Sequence, residues 1–423
     1  MPVIIEMLST GDEVLQGDIV DSNAAWVGRQ LSEKGLKFAR RQTVADDLET
    51  LVSSIDEICQ RADWLLVNGG LGPTSDDLSA PAAAQMLGVP LELNKQWLTR
   101  MQNWYDLLGR SMPSSNMKQA MLPQGAQMID NPVGTACGFL IRHYQCQVLF
   151  TPGVPGEFKR MVLDQWFPRL PAGNNGLVKR FFTFGLSESG VGEQLSQLDL
   201  PEGARLGYRS SRPSIEIKVF YEQDQQAQMP AFYQQIRQKL GAQIFSEDDG
   251  HWQAYIQSMM LEKGLKLTVA ESCTGGMLAS QLVSEAGSSG YFERGFVTYS
   301  NEAKQQCLGV SKDLLEQYGA VSNEVAQAMA KGALEHSEAD LALSTTGIAG
   351  PDGGTDNKPV GTVCFALASR DNCWVQRLLL PSRGRLSVRE MAAATALDML
   401  RRYLMDLPVL GDYDLIRRID EDK

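Results

Sequence analysis

Residues 266–277, KLTVAESCTGGM, join a short apolar run to an amphipathic stretch through a loop of small and polar residues. The run Lys266–Ala270 predicts a buried strand, and Gly275–Ser284 predicts a helix that begins directly after the loop. A strand that passes through a glycine-rich turn into a helix is the repeating unit of α/β folds with parallel sheets. This stretch therefore predicts an α/β domain in the C-terminal part of the chain.

The same alternation of apolar runs and amphipathic stretches recurs along the whole chain of 423 residues. A strand at Val3–Leu8 and a helix at Ser22–Lys34 predict a first α/β domain over residues 1–165. Residues 166–250 alternate like the strands of an antiparallel sheet, which predicts a small α+β connecting domain that ends at an acidic turn. The α/β pattern returns over residues 251–423. We therefore predict the α/β class, with two three-layer α/β domains of parallel or mixed sheets joined by the small α+β domain.

The overall charge argues against several kinds of partner. The chain carries 39 Lys and Arg against 51 Asp and Glu, a formal net charge of -12. Such a surface repels nucleic acid phosphates and anionic lipids, so we expect neither nucleic acid nor membrane as a partner. No apolar run approaches the roughly 20 residues that span a bilayer, and the first residues lack the features of a signal peptide. The seven cysteines are scattered without a CxxC pair, as expected of reduced thiols in a cytoplasmic protein.

Two polar, glycine-rich loops follow predicted strands in the C-terminal part. The first is Glu271–Gly276, and the second, at residues 345–355, has the sequence TTGIAGPDGGT. Loops at the carboxyl ends of parallel strands converge on a ligand site. The start of the helix after the first loop is expected to direct backbone N–H groups at a phosphate or at a developing oxyanion. The alternative is structural, with Ser272 or Thr274 capping the helix and the second loop serving only as a connection.

A third polar segment, VTYSNEAK at residues 297–304, lies between these two loops in the sequence. The chain has only three histidines, and none of them lies in a glycine-rich motif. Proton transfer is therefore expected from other groups, and Tyr299 and Lys304 are the candidates in this segment. A serine hydroxyl becomes a nucleophile when a base takes its proton, and a partly desolvated lysine can be that base. The alternative is that both side chains are structural or solvated.

Four motifs together resemble the C-terminal domain of the CinA (competence/damage-inducible protein A) family. They are AESCTGG at 270–276, VTYSNEAKQQCLGV at 297–310, GAVS at 319–322 and TTGIAGPDGGTDNKPVGTV at 345–363. The resemblance covers residues 255–410, with the motifs in the family's order. It implies that nicotinamide mononucleotide and water are converted to nicotinate mononucleotide and ammonia, without a cofactor.

The resemblance also implies roles for individual residues. Ser272 would be the nucleophile and Lys304 the base, while Tyr299 would orient that base or relay protons. Thr346 would help to hold the reacting centre. The residues implied to line the substrate pocket are Thr274, Gly275, Gly276, Asn301, Gly347, Gly350 and Gly353.

The phosphate of this substrate needs a cation, and the resemblance implies an arginine of the segment Ser382–Arg385. We favour Arg383 over Arg385, although the sequence does not separate them. The expected route is covalent. Ser272 attacks the carboxamide carbon, backbone N–H groups stabilise the oxyanion, and water then releases the acid.

The N-terminal part carries its own set of polar motifs. They are STGDEVL at 9–15, DSN at 21–23, NGGLGPTSDD at 68–77, NMKQA at 116–120, NPVGTA at 131–136 and PGVPGE at 152–157. A glycine-rich loop that closes in two aspartates offers N–H groups to phosphate and oxygen ligands to a divalent cation. The set therefore indicates metal-assisted phosphoanhydride chemistry. Taken singly, Asp12 and Glu13 would form a turn, and Asp76 and Asp77 would cap a helix.

These motifs are similar to the N-terminal domain of the same family over residues 3–165, a domain related to the molybdopterin-binding fold. The resemblance implies either an ADP-ribose pyrophosphatase that uses a divalent metal (Mg, Mn or Co) or a residual pterin-nucleotide-binding fold. The implied site residues are Asp12, Glu13, Gly70, Gly72, Thr74, Asp76, Asp77, Lys118 and Glu157, of which Asp12, Asp76 and Asp77 would bind the metal. Two positions depart from the family's commonest wording: Ser79 replaces a threonine, and Cys137 replaces a proline or another small residue.

The leading hypothesis is thus a bifunctional enzyme of pyridine nucleotide recycling, with nicotinamide mononucleotide and ADP-ribose as its small-molecule substrates. One alternative keeps the amidohydrolase but makes the N-terminal domain a nucleotide-binding regulator without turnover. Another is a scaffold for DNA uptake or repair, which the acidic charge disfavours. We expect a homodimer, because small α/β modules of this kind often share sites across two-fold interfaces.

Overall fold

The computed structural model of the chain describes residues 3–173, 176–247 and 250–419. The chain divides into two compact units, Met1–Val178 and Lys179–Lys423. Of the acidic turn that was predicted to end the connecting domain, Asp248 and Asp249 lie outside the described residues. Among the helices of the described part, none combines the length and the apolar character needed to cross a membrane.

The first unit is a three-layer α/β structure around a six-stranded mixed sheet. The strands of this unit are β1 (Ile5–Thr10), β2 (Phe38–Val44), β3 (Trp64–Asn68), β4 (Leu91–Leu93), β5 (Met121–Pro123), β6 (Gln127–Ile129), β7 (Gly138–His143) and β8 (Cys146–Thr151). The sheet has the order β2-β1-β3-β8-β7-β6, and β4 pairs with β5 separately. The first four strands of that order run parallel, and β7 and β6 are antiparallel additions at one edge.

Helices cover both faces of this sheet. They are α1 (Asp12–Leu15), α2 (Ser22–Glu33), α3 (Leu48–Cys59), α4 (Ser79–Leu87), α5 (Lys95–Leu107) and α6 (Pro155–Met161), with shorter helical turns at Ser114–Ala120, Val162–Trp166 and Phe167–Arg169. Side chains of α3, α4 and α5 form one core, and those of α2 and α6 form the other. Because both faces are covered, every residue of β1 is buried, as expected for a strand inside a parallel sheet.

The second unit begins with a four-stranded sheet of its own. Its elements are β9 (Leu177–Phe184), α7 (Glu188–Leu195), β10 (Arg205–Ser211), β11 (Ser214–Tyr221), α8 (Met229–Leu240) and β12 (Ile244–Glu247), with helical turns at Gln223–Gln225 and Gly241–Gln243. The order is β10-β11-β9-β12, and the alternating apolar residues of β11 pack under α7 and α8. The opposite side contributes Phe182, Phe184 and Phe245 to the core of the following sheet, where Phe245 stacks on Trp252 at 3.8 Å.

That following sheet is six-stranded, with the order β14-β13-β15-β16-β17-β18. Its elements are α9 (Trp252–Lys263), β13 (Leu267–Glu271), α10 (Met277–Leu282), β14 (Phe292–Val297), α11 (Asn301–Leu308), α12 (Lys312–Tyr318), α13 (Asn323–Glu335), β15 (Leu341–Gly347), β16 (Thr362–Ser369), β17 (Cys373–Leu379), α14 (Arg385–Leu404) and β18 (Arg417–Arg418), with a turn at Ser288–Gly290. Helices α9, α10 and α14 cover one face, and α13 covers the other.

The predicted class, α/β with mixed sheets, is confirmed. The strands β14, β13 and β15 run parallel, while β16, β17 and β18 extend the sheet in antiparallel fashion. The parallel strands are the ones that matter for function, because their carboxyl ends lie at one edge. In register, Glu271 faces Val297 on one side and Thr345 on the other, so the residues that follow these three positions meet at that edge.

Candidate active sites

Strand β13 delivers Ser272 directly after its last residue, and helix α11 presents Lys304 to it. The Lys304 Nζ donates a hydrogen bond to Ser272 Oγ at 3.0 Å, to the Thr298 carbonyl at 2.9 Å and to the Tyr299 carbonyl at 3.4 Å. All three acceptors are uncharged, and only 1% of Lys304 is exposed. The structure thus brings the predicted nucleophile and the predicted base into direct contact.

Burial changes the protonation of this group. Desolvation lowers the pKa of Lys304 below its usual value of 10.5, and the neighbouring Cys273 acts weakly in the opposite direction. Burial also raises the pKa of the Cys273 thiol to about 12. Burial therefore moves Lys304 toward the neutral amine relative to an exposed lysine. In that form the two N–H groups serve the two carbonyls, and the nitrogen lone pair accepts the hydrogen bond of the Ser272 hydroxyl.

The loop after β13 is held by a carboxylate that the sequence analysis did not single out. Glu271 is fully buried, and its side chain accepts hydrogen bonds from the N–H groups of Gly276 at 3.0 Å, Leu278 at 3.1 Å and Ala279 at 2.8 Å. These are the first N–H groups of helix α10. The expectation that they point at a ligand is therefore wrong, because Glu271 already occupies them.

The rest of the loop is anchored to the neighbouring strand and to helix α14. The Ser272 N–H donates to the Thr345 carbonyl at 2.8 Å, and the buried hydroxyls of Thr274 and Thr345 are 2.7 Å apart. Arg389, which was also missed, donates to the Thr274 carbonyl from Nη2 at 2.7 Å. Within the described residues, the N–H groups of Cys273 and Thr274 donate to no oxygen, and both contact the Cys273 sulfur.

Tyr299 and the arginines before α14 are arranged differently from the expectation. The Tyr299 carbonyl faces Lys304, but its ring is 61% exposed and its hydroxyl accepts from Arg385 Nη2 at 2.6 Å. Arg385 also donates from Nη1 to the Gly350 carbonyl at 2.8 Å, which links it to the second glycine-rich loop. Arg383 is exposed and makes no hydrogen bond or ion pair within the described chain. The geometry therefore favours Arg385 over Arg383 as the cation beside the site.

The remaining predicted residues lie around this centre. Thr346 is buried and donates to the Ala320 carbonyl at 2.7 Å, so its hydroxyl is engaged within the protein. Asn301 is exposed at the start of α11, where Ser300 caps the helix. Gly275, Gly276, Gly350 and Gly353 all have positive φ. At Gly347, a Cβ would lie 2.8 Å from the Thr362 carbonyl oxygen, so the close approach of these two strands requires glycine.

The first unit contains a cavity of about 500 Å³ at the carboxyl ends of β1, β3 and β8. The carboxylates that line it are Glu13, Asp21, Asp46, Asp76, Asp77 and Glu157, and no lysine or arginine is among the lining residues. Gly70 and Gly72 also line it, whereas the predicted residues Asp12, Thr74 and Lys118 do not. Lys118 instead lines an adjoining cavity of about 180 Å³. Asp21 opens the motif DSN but was not among the predicted site residues, and Asp46 lies in none of the motifs.

The glycine-rich loop at this cavity is shaped by its own side chains. Asp77 Oδ2 accepts from the Thr74 N–H at 2.8 Å and from the Thr74 hydroxyl at 2.5 Å, and a Cβ on Gly72 would lie 2.5 Å from that oxygen. Ser79 donates to the Gly69 carbonyl at 2.8 Å, so serine supplies the hydroxyl where threonine is commoner. In the described part, the N–H groups of Gly70, Leu71 and Gly72 have no acceptor, which suits a loop that receives phosphate oxygens.

The predicted metal ligands do not gather at one point. Among the described residues, no group of three or more His, Cys, Asp or Glu side chains comes close enough together to hold a metal ion. Asp77 is used by Thr74, and Asp12 lies outside the cavity lining. For Asp76, the Thr74 hydroxyl lowers the pKa of the carboxyl, with smaller contributions from its own backbone and from Lys118. In this arrangement, therefore, the three aspartates do not fit a shared metal site.

Glu157 has a different environment from the other carboxylates of the cavity. Burial raises the pKa of Glu157 above its usual value of 4.5, opposed by a hydrogen bond of 2.5 Å from the Asn131 amide. Its carboxyl lies against Gly134, so a side chain at that position would displace it. Glu157 thus holds a proton more readily than an exposed glutamate.

Two protein-family models match the chain. Residues 250–404 match the CinA C-terminal domain, and residues 6–172 match a probable molybdopterin binding domain. A CinA-like protein from Shewanella baltica (strain OS155) is 48% identical over 422 residues, which is 99% of this chain and 100% of that protein. A CinA-like protein from Shewanella woodyi is 49% identical over 422 residues, which is again 99% of this chain and 100% of that protein.

Solved structures are similar to a part of the chain. The competence/damage inducible protein CihA from Agrobacterium tumefaciens is 43% identical, with 36% of this chain and 93% of that chain covered and a TM-score of 0.36. The competence damage-inducible protein A from Klebsiella pneumoniae is 36% identical, with 36% and 95% covered and a TM-score of 0.35.

The raised pKa of Glu157 predicts how the stability of the protein depends on pH. Since its pKa is raised in the folded state, this carboxyl contributes stability that is fully present below its unfolded pKa and is lost as the pH rises through its folded pKa. The substitution Glu157→Gln keeps an oxygen for Asn131 and removes the titration. We expect E157Q to melt at a higher temperature than the wild type at about pH 8 and at the same temperature below about pH 4.

The measurement is thermal unfolding at both pH values, with Glu49→Gln as the control at an exposed position of α3. Identical melting of E157Q and the wild type at both pH values would contradict the assignment of a raised pKa.

Proposed function

The chain belongs to the CinA family, and on that premise we propose that its C-terminal domain hydrolyses nicotinamide mononucleotide to nicotinate mononucleotide and ammonia. The observation that carries the proposal is the 3.0 Å hydrogen bond between Lys304 Nζ and Ser272 Oγ in a buried setting without a charged acceptor. A serine and a neutral lysine form a known nucleophile and base pair for cleaving amide bonds.

The first half of the reaction forms an ester. Lys304 takes the proton of Ser272 as the Oγ attacks the carboxamide carbon, and the carbonyl oxygen becomes an oxyanion. The proposed donors for that oxyanion are the N–H groups of Cys273 and Thr274, which bind no oxygen in the described chain and would exchange the weak Cys273 sulfur acceptor for the oxyanion. The carbon–nitrogen bond then breaks as the Lys304 ammonium returns its proton to the leaving nitrogen, which departs as ammonia.

The second half regenerates the enzyme. Lys304, now neutral again, takes a proton from water as the water oxygen attacks the ester carbon. The bond to Ser272 Oγ breaks, Ser272 regains a proton from Lys304, and the acid leaves. One amide and one water are consumed, and one acid and one ammonia are formed. Arg385 is the proposed partner of the phosphate, because its guanidinium lies beside the exposed Tyr299 ring and the second loop.

Removal of the nucleophile is the direct test of this assignment. We expect Ser272→Ala to lower kcat for ammonia release from nicotinamide mononucleotide by at least about 10⁴-fold, because the covalent route is lost. Ser280→Ala is the matched control, since Ser280 is an exposed serine on the neighbouring helix. Near-normal turnover by a folded S272A protein would end the proposal.

Lys304 predicts the pH dependence of the same reaction. Only the neutral amine accepts the proton of Ser272, so kcat/KM should rise by about tenfold per pH unit while Lys304 is protonated and then level off. Because burial lowers the pKa of this lysine, the plateau should begin below the usual lysine value of 10.5. The measurement is ammonia release between about pH 4 and pH 10, a range that also covers a strongly lowered lysine pKa of about 5 to 6. A profile that shows no rise anywhere in this range, or that only falls with rising pH, excludes Lys304 as the base.

For the N-terminal domain we propose hydrolysis of ADP-ribose to AMP and ribose 5-phosphate. The cavity of about 500 Å³, with three unoccupied N–H groups on its glycine-rich loop, supports a ligand that carries a diphosphate. Its carboxylates repel such an anion, so we expect turnover only when a divalent cation (Mg, Mn or Co) is added. Because the three predicted aspartates form no shared metal site, this cation would enter bound to the diphosphate.

The test is product analysis on ADP-ribose with each metal. We expect AMP and ribose 5-phosphate from the wild type, at least about tenfold less from Asp76→Asn, and wild-type rates from Asp106→Asn, an exposed aspartate on α5. Binding of ADP-ribose without products under all three metals would instead favour a nucleotide-binding regulator.

A further inference from the structure

Glu271 is a fully buried acid that directly precedes Ser272 in the chain. Its carboxylate accepts only backbone N–H groups within the described chain, from Gly276, Leu278 and Ala279. No ion pair in the described chain involves it, although it is fully buried. Burying a carboxylate is expensive unless it is fully hydrogen-bonded, so the chain keeps a costly group at this position.

Helix α10 is capped differently from its neighbours. Three other helices of the same sheet domain, α11, α12 and α13, are capped by local serines whose hydroxyls accept an N–H three residues later. The cap position of α10 is Gly276, whose φ of 91° does not suit a capping serine. The capping oxygens come instead from Glu271, five positions upstream, so the cap joins the end of β13 to the start of α10.

The consequence of this displaced cap is a closed loop around the nucleophile. The backbone of Glu271 is fixed by the sheet on both sides, and its carbonyl accepts from the Thr298 N–H at 2.8 Å. Its side chain is fixed to the start of α10. The segment Ser272–Gly275 lies between these two attachments, so the ends of the segment cannot move independently.

The same residue also fixes the partner of the nucleophile. Thr298, whose N–H binds the Glu271 carbonyl, offers its own carbonyl to Lys304 Nζ at 2.9 Å. Through its backbone carbonyl, Glu271 thus holds Thr298, whose own carbonyl binds the base Lys304. Through its side chain, Glu271 holds the start of α10, which follows the nucleophile Ser272. Arg389 donates to the Thr274 carbonyl, so the loop is held by a guanidinium as well as by the Glu271 carboxylate.

We propose that Glu271 is a positioning residue for Ser272: its carboxylate binds the first N–H groups of α10 and thereby keeps the Ser272 hydroxyl directed at Lys304. The inference rests on the proposed role of Ser272 as the nucleophile. It assigns to Glu271 no contact with substrate. Its effect is exerted through the geometry of the loop, where a displacement of about 1 Å lowers a rate by about 100-fold.

The test substitution is Glu271→Gln, which preserves size but replaces one acceptor oxygen by an NH₂ group that faces an N–H donor. We expect kcat for nicotinamide mononucleotide to fall by about 100-fold while KM stays within about threefold, because substrate contacts are retained. Asp313→Asn is the matched control, since it removes an exposed acid from the first turn of α12. A change in overall stability alone does not produce this split between kcat and KM.

Amide hydrogen exchange of the same full-length proteins provides a readout that is independent of the substrate. We expect faster exchange in residues 272–282 of E271Q and unchanged exchange in the other strands of the sheet. If the wild type releases no ammonia, the exchange comparison still tests whether Glu271 holds the loop. Failure of the proposed reaction and failure of the inference are therefore distinguishable. Unchanged exchange in this segment, or a kcat within threefold of the wild type, overturns the inference.

If E271Q does not fold, Glu271→Asp serves as the second variant. It keeps the charge but is one methylene shorter, so we expect weaker N–H contacts, a smaller loss of kcat and an unchanged KM. A folded E271D protein with wild-type kcat and wild-type exchange would equally overturn the inference.

Discussion

The burial of the Lys304 amine among uncharged oxygens is the constraint on which the C-terminal site depends. An exposed lysine is cationic at neutral pH and cannot accept a proton. Here two backbone carbonyls and one hydroxyl surround the amine, and desolvation lowers its pKa. A carboxylate in the same place would hold the lysine in its charged form. The absence of charge among its acceptors is therefore what makes this lysine suited to be a base.

The sheet supplies the positions that this arrangement needs. Glu271, Val297 and Thr345 lie level in β13, β14 and β15, so the residues that follow them, Ser272, Thr298 and Thr346, lie at the same edge. Helix α14, which packs on one face of the sheet, contributes Arg385 and Arg389 from its first two turns. The cavity of the first unit also lies at the carboxyl ends of parallel strands. Its lining contains six carboxylates and no lysine or arginine, so it attracts cations.

Much of this could be predicted from the sequence, because it depends on short-range patterns. The strand β13, the loop after it and the pair Ser272 and Lys304 all lie within motifs, and the alternation of strands and helices predicted the α/β class. The predicted helix at Gly275–Ser284 begins two residues later, at Met277. The reason is Glu271, which binds the N–H groups where the helix starts and leaves the two preceding glycines outside it.

What could not be predicted depends on contacts between distant segments. Arg389 is 115 residues from the carbonyl it binds, and an arginine on an amphipathic helix carries no local signal. Asp21 and Asp46 reach their cavity through the order of the strands, which sequence alone does not define. For Glu271 the sequence carries one weak signal, an acid at the end of a mainly apolar strand, five residues before a glycine at a helix start. The antiparallel direction of strands β16 to β18 could also not be predicted, since parallel and antiparallel strands share the same apolar runs.

The central claim is that Ser272 forms a covalent bond to the substrate during turnover. The most direct measurement is rapid acid quenching of the protein with nicotinamide mononucleotide, followed by peptide mass spectrometry. The account predicts a nicotinate mononucleotide ester on the peptide that contains Ser272, formed as ammonia is released and lost as the acid appears. Ammonia release at the full rate from a protein that never carries this ester would contradict it, and would show that water attacks the amide directly.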